Sequence, residues 1–382
     1  MNINIFGSTG TIGTKTLKII EKYYPFITIN LLTANSNYKK FIYQIKKYKP
    51  KAVFIKNEKY FNILKKNINY KLIYISNNEI HDYLNSTKTN LTLLAISGID
   101  GLDYLDSICK NTSNLGLVNK ESIVSAGHLL NSILKKNKTN LFPLDSEHFS
   151  LFNSINKLSE YNKIYLTASG GPFLKSSYNV VKNATFEKAT KHPKWKMGYK
   201  NSIDSATLVN KILEIIEAKY LFNIPLNKLD ILIHPEALIH SVIEHNNFTS
   251  TFNYFYPDMA IPIINFLNIV NKNNSHFESF NIKKFNLKKN ETMNFLEVDN
   301  NKFPIYYYFR TLDFNSPKNI IKFNISNQYA VDLFKDKKII YGDIVKNIAK
   351  FMKININSPV NSVENVINFH YDFKRLLLNS KI

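Results

Sequence analysis

A chain of 382 residues exceeds one ordinary hydrophobic core and predicts two or three domains. Its formal net charge of +21 is carried almost wholly by lysine, Arg310 and Arg375 being the only arginines, and the lysines lie scattered among Asn, Ile, Tyr and Phe; the arginine-rich stripe that reads bases and phosphates is missing, so no nucleic-acid partner is expected. No apolar run is long enough to span a membrane, a strand beginning at Ile3 leaves no room for a signal segment, and the single cysteine, Cys109, can build neither an internal disulfide nor a thiolate metal site, so a cytoplasmic protein is expected.

The first element is a short strand, Ile3, Ile5 and Phe6, followed by Gly7, Gly10 and Gly13. Leu17, Ile20 and Tyr24 then recur at helical spacing until Pro25 ends the run. Strand, glycine turn and helix in this order suit a pyrophosphate cradle: Gly7 for the sharp turn, Gly10 for close approach of the ligand, Gly13 for helix against strand. The spacing is G-x-x-G-x-x-G, so a purely structural turn is the competing reading. The second strand, "ITINLLTA", runs into Asn35, Ser36 and Asn37 with no acid to hold ribose hydroxyls, and Lys39 and Lys40 follow. That pattern favours NADP over NAD, unless the lysines are merely solvated. "AVFI", "KLIYI", "LTLLAIS" and "LGLVNK" continue the alternation to about residue 145, which predicts an α/β, doubly wound, Rossmann-like parallel sheet.

Three polar clusters follow. In "PLDSEHFS", Asp145 and Glu147 lie two residues apart and can face one point on an extended segment, where a cation or proton would relieve their repulsion. Equally, Asp145 or Ser146 can cap the helix that begins there. "KIYLTASGGPF" is a strand ending in Ser169-Gly170-Gly171, a hydroxyl and amides suited to a phosphate. A long helix is predicted over about Ser205 to Leu221, with Asn210, Lys211, Glu214 and Glu217 as one polar stripe. The stripe reads either as a solvated face or as the wall of a site in which Asn210 and Lys211 bind an anion and Glu214 adds a third carboxylate. Three oxygen ligands without cysteine suit Mg²⁺ or Mn²⁺. "LDILIHP" and the pair around His245-Asn246-Asn247 read as antiparallel strands with a tight turn. Residues 285 to 303 read as a polar linker, and a helical segment runs from Pro304 to the end with Ser358-Pro359 opening its last helix.

Taken together, "GSTGTIG", "NKES", "LDSEH", "SGGPF", "HPKWKMG", "DSATLVNKILE" and "IHPEALIHS", in this order over most of the chain, resemble the 1-deoxy-D-xylulose-5-phosphate reductoisomerase family. The resemblance implies an NADPH- and divalent-metal-dependent oxidoreductase that isomerises and reduces 1-deoxy-D-xylulose 5-phosphate to 2-C-methyl-D-erythritol 4-phosphate in the non-mevalonate isoprenoid route. It implies a homodimer, a small sugar-phosphate substrate and no membrane partner. It also implies an N-terminal NADPH-binding domain (1–145), an α+β catalytic domain with a lid loop (146–290), a linker (291–303) and a C-terminal helical domain (304–382). By the same resemblance Asp145, Glu147 and Glu214 are the ligands of Mg²⁺ or Mn²⁺, with Co²⁺ as an alternative. Gly7, Ser8, Thr9, Gly10, Thr11, Ile12, Asn35, Ser36, Asn119 and Glu121 lie at the cofactor. Ser169, Ser205, Asn210 and Lys211, with His192 beside them, form the phosphate pocket; Lys120, Ser146, Glu147 and Glu214 touch the substrate, Lys120 among the catalytic groups; Trp195 and Met197 ride on the lid.

Two stretches depart from the family pattern. "ANSN" stands where many relatives carry a glycine and a basic residue near the ribose, and "NISNQ" at 324–328 replaces an Asn-Glu-containing segment, a change expected to touch packing rather than chemistry. A metal-dependent hydrolase built on His234, Glu236 and His240 is the alternative enzyme class, but it has no use for the glycine turn.

Trp195 is the only tryptophan, and Pro193, Gly198 and lysines around it favour a closing loop over a core anchor. Fluorescence excited at the indole edge is therefore expected to show a hydrated emission in the free protein and a shift on adding Mg²⁺ with the phosphonate-hydroxamate fosmidomycin. A blue emission that stays unchanged at saturation assigns Trp195 to the core instead.

Overall fold

The computed structural model describes residues 1–152, 154–155, 161–193, 198–269 and 292–380. They divide into two compact units: Met1–Ser122 with Leu130–Phe149 and Asp258–Lys283, and Ile123–Leu129 with Ser150–Pro257 and Lys284–Ile382.

In the first unit, β1 (Asn2–Phe6), β2 (Thr28–Ala34), β3 (Ala52–Ile55), β4 (Ile73–Ile75), β5 (Thr89–Leu94), β6 (Thr112–Leu117) and β7 (Asn140–Pro143) form one parallel sheet in the order β4-β3-β2-β1-β5-β6-β7. The expected doubly wound architecture is present. Strands such as "AVFI" are apolar at successive positions and buried throughout, as helices on both faces require. Strand order reverses between β1 and β5, so the loop after β1 lies at the switch point where such sheets bind nucleotides. The reading along the sequence missed β7, which is four residues long and ends in Pro143. Its place at the sheet edge explains both features, since an edge strand tolerates a missing N–H. Helix Ala260–Asn268 also belongs here: Asp258 pairs with Lys15, and the Tyr24 hydroxyl donates to Asn268 Oδ1 at 2.7 Å.

The second unit is built on β8 (Tyr161–Ala168), β9 (Leu229–Ile233), β10 (Ile239–His245) and β11 (Ser250–Tyr254), in the order β11-β10-β8-β9. β10 and β11 make the expected antiparallel hairpin across Asn246 and Asn247. "LDILIHP" departs from expectation: β9 runs parallel to β8, because the chain between them crosses over through helices and re-enters in the same direction. The single helix expected over about Ser205 to Leu221 is two, Tyr199–Thr207 and Val209–Phe222, joined at Leu208 with φ +71°. A left-handed leucine costs roughly 1–2 kcal/mol, so packing on both sides holds the break in place. Four further helices follow, Pro304–Thr311, Pro317–Lys335, Ile344–Met352 and Val363–Asn379, around Phe309, Phe314, Phe323, Phe351, Phe369 and Phe373. The last begins at Ser362, not at Ser358-Pro359, because Ser362 Oγ accepts from Asn365 N at 3.1 Å and ends the extended approach. Among the described residues no helix is long and apolar enough to cross a membrane.

Helix Lys120–Asn137 carries Gly127 in its middle, where alanine normally gains stability. Here an added Cβ would lie 2.2 Å from the Tyr220 ring on helix Val209–Phe222. Gly127→Ala is therefore expected to destabilise the fold by about 1–3 kcal/mol, the usual cost of overpacking, as a lower midpoint in urea unfolding. An unchanged or raised midpoint would refute the close packing.

Candidate functional site

The first unit contributes two groups of candidate residues. β1 delivers the chain into Gly7, whose φ is +78° and whose missing Cβ would otherwise sit 2.5 Å from the Ala95 carbonyl oxygen. A Cβ added at Gly13 would sit just as close, 2.5 Å from Gly7 O, so the helix can start only because both positions lack a side chain. Gly7 N donates to Thr33 Oγ1 at 3.0 Å and Ser8 N to Thr33 O at 2.9 Å, while Gln44 Nε2 donates to Ser8 O at 2.8 Å. Ser8 is buried with its hydroxyl bonded to Thr33 O and Gln44, so it shapes the turn from inside. Thr9, Gly10, Thr11 and Ile12 form the accessible rim. Gly10 is the N-cap of helix Thr11–Tyr23 and offers no side-chain bond, which leaves the first-turn amides free to face an anion. Asn35 and Ser36 are exposed at the end of β2, and Lys40 Nζ donates to Thr9 O at 2.8 Å on the same turn. Asn119 has a structural role: Oδ1 caps helix Lys120–Asn137 through Ser122 N at 2.6 Å, and Nδ2 donates to Gly98 O at 2.8 Å. Glu121 follows, half-buried.

β7 then places Asp145 and helix Ser146–Phe152. Asp145 Oδ2 takes Lys120 Nζ at 3.0 Å, and Oδ1 accepts from Glu147 N at 3.3 Å. The capping reading is thus realised, and the same carboxylate pairs with the Lys120 ammonium. Ser146 Oγ donates to Glu147 Oε2 at 2.5 Å, and His148 is fully buried with Nδ1 3.8 Å from Asp145 Oδ1.

In the second unit the polar stripe is not a solvated face. Lys211 is 4% exposed, Glu214 1% and Glu217 1%. Lys211 pairs with Glu214, and Asn210 Nδ2 donates to Glu214 Oε1. Taking charges out of water costs several kcal/mol per ion, which the Lys211–Glu214 pair and the Asn210 amide offset in part. β8 ends at Ala168, Ser169 follows, and Gly170 (φ +81°) and Gly171 (φ +65°) turn the chain back. Ser169 Oγ lies 3.2 Å from His192 Nε2. Burial, helped by the Lys211 charge, holds the His192 imidazole down at about 4, so it is neutral at physiological pH. Ser205 is half-buried on helix Tyr199–Thr207. Trp195 and Met197 lie outside the described residues.

His234, Glu236 and His240 do not gather as a metal group among the described residues. His234 Nδ1 bonds Asn294 O at 2.8 Å, and His240 stacks on Phe255 while its Nε2 bonds the Phe255 carbonyl at 3.1 Å. They hold backbone in place, which removes the hydrolase alternative. Sequence reasoning left Glu217 and His148 without a role; a charged residue on an otherwise apolar helix was the available signal for Glu217.

Comparison with known proteins bears on these residues. A family model described as 1-deoxy-D-xylulose 5-phosphate reductoisomerase matches residues 3–127, its C-terminal domain model matches 141–222, and a DXP reductoisomerase C-terminal domain matches 256–376. The 1-deoxy-D-xylulose 5-phosphate reductoisomerase of Pelagibacter ubique is 37% identical over 355 residues, covering 91% of this chain and 90% of its own; that of Clostridium tetani is 35% identical and covers 96% of each. The Zymomonas mobilis reductoisomerase in complex with NADPH superposes with a TM-score of 0.87 at 30% identity, covering 100% of this chain and 99% of its own. A reductoisomerase in complex with NADPH, fosmidomycin and magnesium superposes with a TM-score of 0.85 at 28% identity, covering 99% and 97%.

The depressed His192 titration has a direct test. Because the folded environment disfavours the imidazolium, the proton is expected to bind only as the pH falls to about 4, leaving the resonance unmoved between pH 8 and 5.5 in an NMR titration assigned with His192→Gln. A midpoint at or above the ordinary 6.5 would refute the assignment.

Proposed function

This chain belongs to the 1-deoxy-D-xylulose 5-phosphate reductoisomerase family, and from that premise we propose that the candidate residues described above carry the conversion of 1-deoxy-D-xylulose 5-phosphate to 2-C-methyl-D-erythritol 4-phosphate. The enzyme is an oxidoreductase dependent on NADPH and a divalent metal. The observation that carries the residue assignment is the burial of Lys211, Glu214 and Glu217 on one helix, a cost that simple solubility or packing does not explain.

The donor sets fit both groups. The glycine turn leaves unclaimed helix amides beside an accessible rim, as a pyrophosphate needs, and the end of β2 offers Asn35 and Ser36 with Lys40 nearby and no acid to repel a 2′-phosphate. Asp145, Glu147 and Glu214 would hold the metal; an all-carboxylate set suits Mg²⁺ or Mn²⁺. When bound, such an ion polarises substrate oxygens as a Lewis acid, and NADPH supplies the hydride for the reduction.

The chain's own residues do the rest. Lys120, next to Asp145, donates to a substrate oxygen and offsets the charge that develops there. Ser146 and Glu147 orient the hydroxyl end. Ser169, Ser205, Asn210, Lys211 and the neutral His192 bind the phosphate, so that binding energy far from the reacting carbons fixes their orientation. Trp195 and Met197 exclude water. Residues 1–145 form the NADPH-binding domain, which also brings Lys120 and Asp145, 146–290 the catalytic domain, 291–303 the linker and 304–382 the helical domain. The homodimer implied by the family resemblance is part of the same proposal. A cytoplasmic setting is supported by Cys109, a buried free thiol pushed up to about 12 by its burial.

NADPH oxidation is expected to require both 1-deoxyxylulose 5-phosphate and Mg²⁺. In Glu214→Gln, kcat/KM should fall by at least about 100-fold, the scale of losing one charge-stabilising group, while NADPH binding followed by nicotinamide fluorescence stays within about twofold. Metal-dependent turnover near the wild-type level in that variant would remove Glu214 from the ligand set.

A further inference from the structure

We propose that Asn327 is a positioning residue for the phosphate end of the substrate, acting through Asp204 on the adjacent Ser205. The inference rests on the reading that Ser169 and Ser205 hold the phosphate.

Helix Tyr199–Thr207 is short, and two neighbours fix it from different sides. On one side lies the phosphate turn. An added Cβ on Gly171 would stand 3.0 Å from Ser205 O and 3.1 Å from Ala206 Cα, so the turn rests directly on the backbone that carries Ser205. On the other side lies helix Pro317–Lys335. Asn327 Nδ2 donates to Asp204 Oδ1 at 2.9 Å; Asn327 is 0% exposed and Asp204 2%. The other Asp204 oxygen pairs with Lys200. Farther along, Asp332 Oδ1 accepts from Tyr199 Oη at 3.2 Å and from Gln328 Nε2 at 3.0 Å.

The depth at which this helix is seated sets how far Ser205 stands from Ser169. A hydrogen bond to a buried carboxylate is among the stronger neutral-to-charged contacts, and it is directional. Asn327 Oδ1 is buried and accepts no bond among the described residues. An apolar side chain of that size would avoid this cost, so the asparagine serves as a donor rather than as filling. Without the donor, Asp204 keeps its charge but loses a partner, and the helix shifts toward water to rehydrate it. Displacements of about 1 Å are enough to weaken a positioned contact severely. The stretch 324–328 therefore bears on substrate binding as well as on packing.

The test is steady-state kinetics at saturating NADPH and Mg²⁺. Asn327→Leu keeps the branched heavy-atom shape and removes the donor. The KM for 1-deoxyxylulose 5-phosphate is expected to rise about tenfold, while kcat and the KM for NADPH stay within about twofold. Ser205→Ala should also raise that KM, and Asn327→Leu added to Ser205→Ala should raise it by less than a further factor of about two, since both act through one contact. Asn327→Ser, whose hydroxyl is too short to reach Asp204, is expected to behave as Asn327→Leu does and is read instead if the leucine variant does not fold. A fall in kcat or in melting temperature with both KM values unchanged would make Asn327 purely structural and overturn the proposal. Fully multiplicative effects with Ser205→Ala would overturn it too. If Ser205→Ala alone leaves the KM unchanged while Asn327→Leu raises it, the phosphate reading of Ser205 fails, and this route through Ser205 fails with it.

Discussion

Keeping an ion pair out of water is the constraint around which the second unit is built. Lys211 and Glu214 face each other one turn apart on helix Val209–Phe222, and Asn210 adds an amide to the same carboxylate. The Coulombic gain at such a spacing repays desolvation only if both groups are held still and the remaining donors and acceptors are served. The helix is held accordingly. Ile212, Leu213, Ile215 and Ile216 are buried, β8 and β9 run beneath it, and Tyr220 meets the backbone of Gly127. The left-handed Leu208 at its start lets Asn210 and Lys211 begin a new helix at an angle to the one carrying Ser205.

The first unit solves a different problem, presenting backbone to an anion without leaving buried amides unsatisfied. Its turn is stitched to β2 by Thr33 and to the following helix by Gln44, so the inner polar groups are spent on structure. Only the outer ones, at the start of helix Thr11–Tyr23, remain for a ligand. β7 works at the edge of the same sheet. It carries little packing of its own, yet it brings Asp145 within 3.0 Å of the Lys120 ammonium at the head of the helix after β6. A nucleotide turn and a carboxylate-lysine pair thereby hang from one rigid scaffold.

What could be read from the sequence follows from the range of the forces involved. The glycine turn, the alternation of the first 145 residues and the β10–β11 hairpin depend on local periodicity and turn chemistry, and each is found where expected. Leu208 gives no local sign of a break, because no glycine or proline is there, and the leucine is buried where it turns left-handed. The direction of β9 depends on the crossover before it, not on its own residues. Most telling is the stripe of Asn210, Lys211, Glu214 and Glu217. Spacing alone makes it indistinguishable from a solvated face, and only burial separates the two readings. Seven motifs in order carried the site assignment where periodicity could not.

The phosphate reading has a consequence for the chain's unusual charge. A net +21 spread over scattered lysines is screened within about 8 Å at physiological ionic strength, so it contributes little to choosing a ligand inside a pocket. Lys211 is itself balanced by Glu214, and His192 is neutral. On the proposed reading, the paired Lys211 would then act alongside fixed dipoles: the Ser169 and Ser205 hydroxyls, the Asn210 amide, the imidazole N–H and the backbone around two glycines of positive φ. Dipoles discriminate by direction and lose their value when misaligned, whereas a charge tolerates displacement. On that reading, seating the helix that carries Ser205, through Asn327 on Asp204, Asp332 on Tyr199 and Gly171 against the Ser205 backbone, matters more than collecting further lysines.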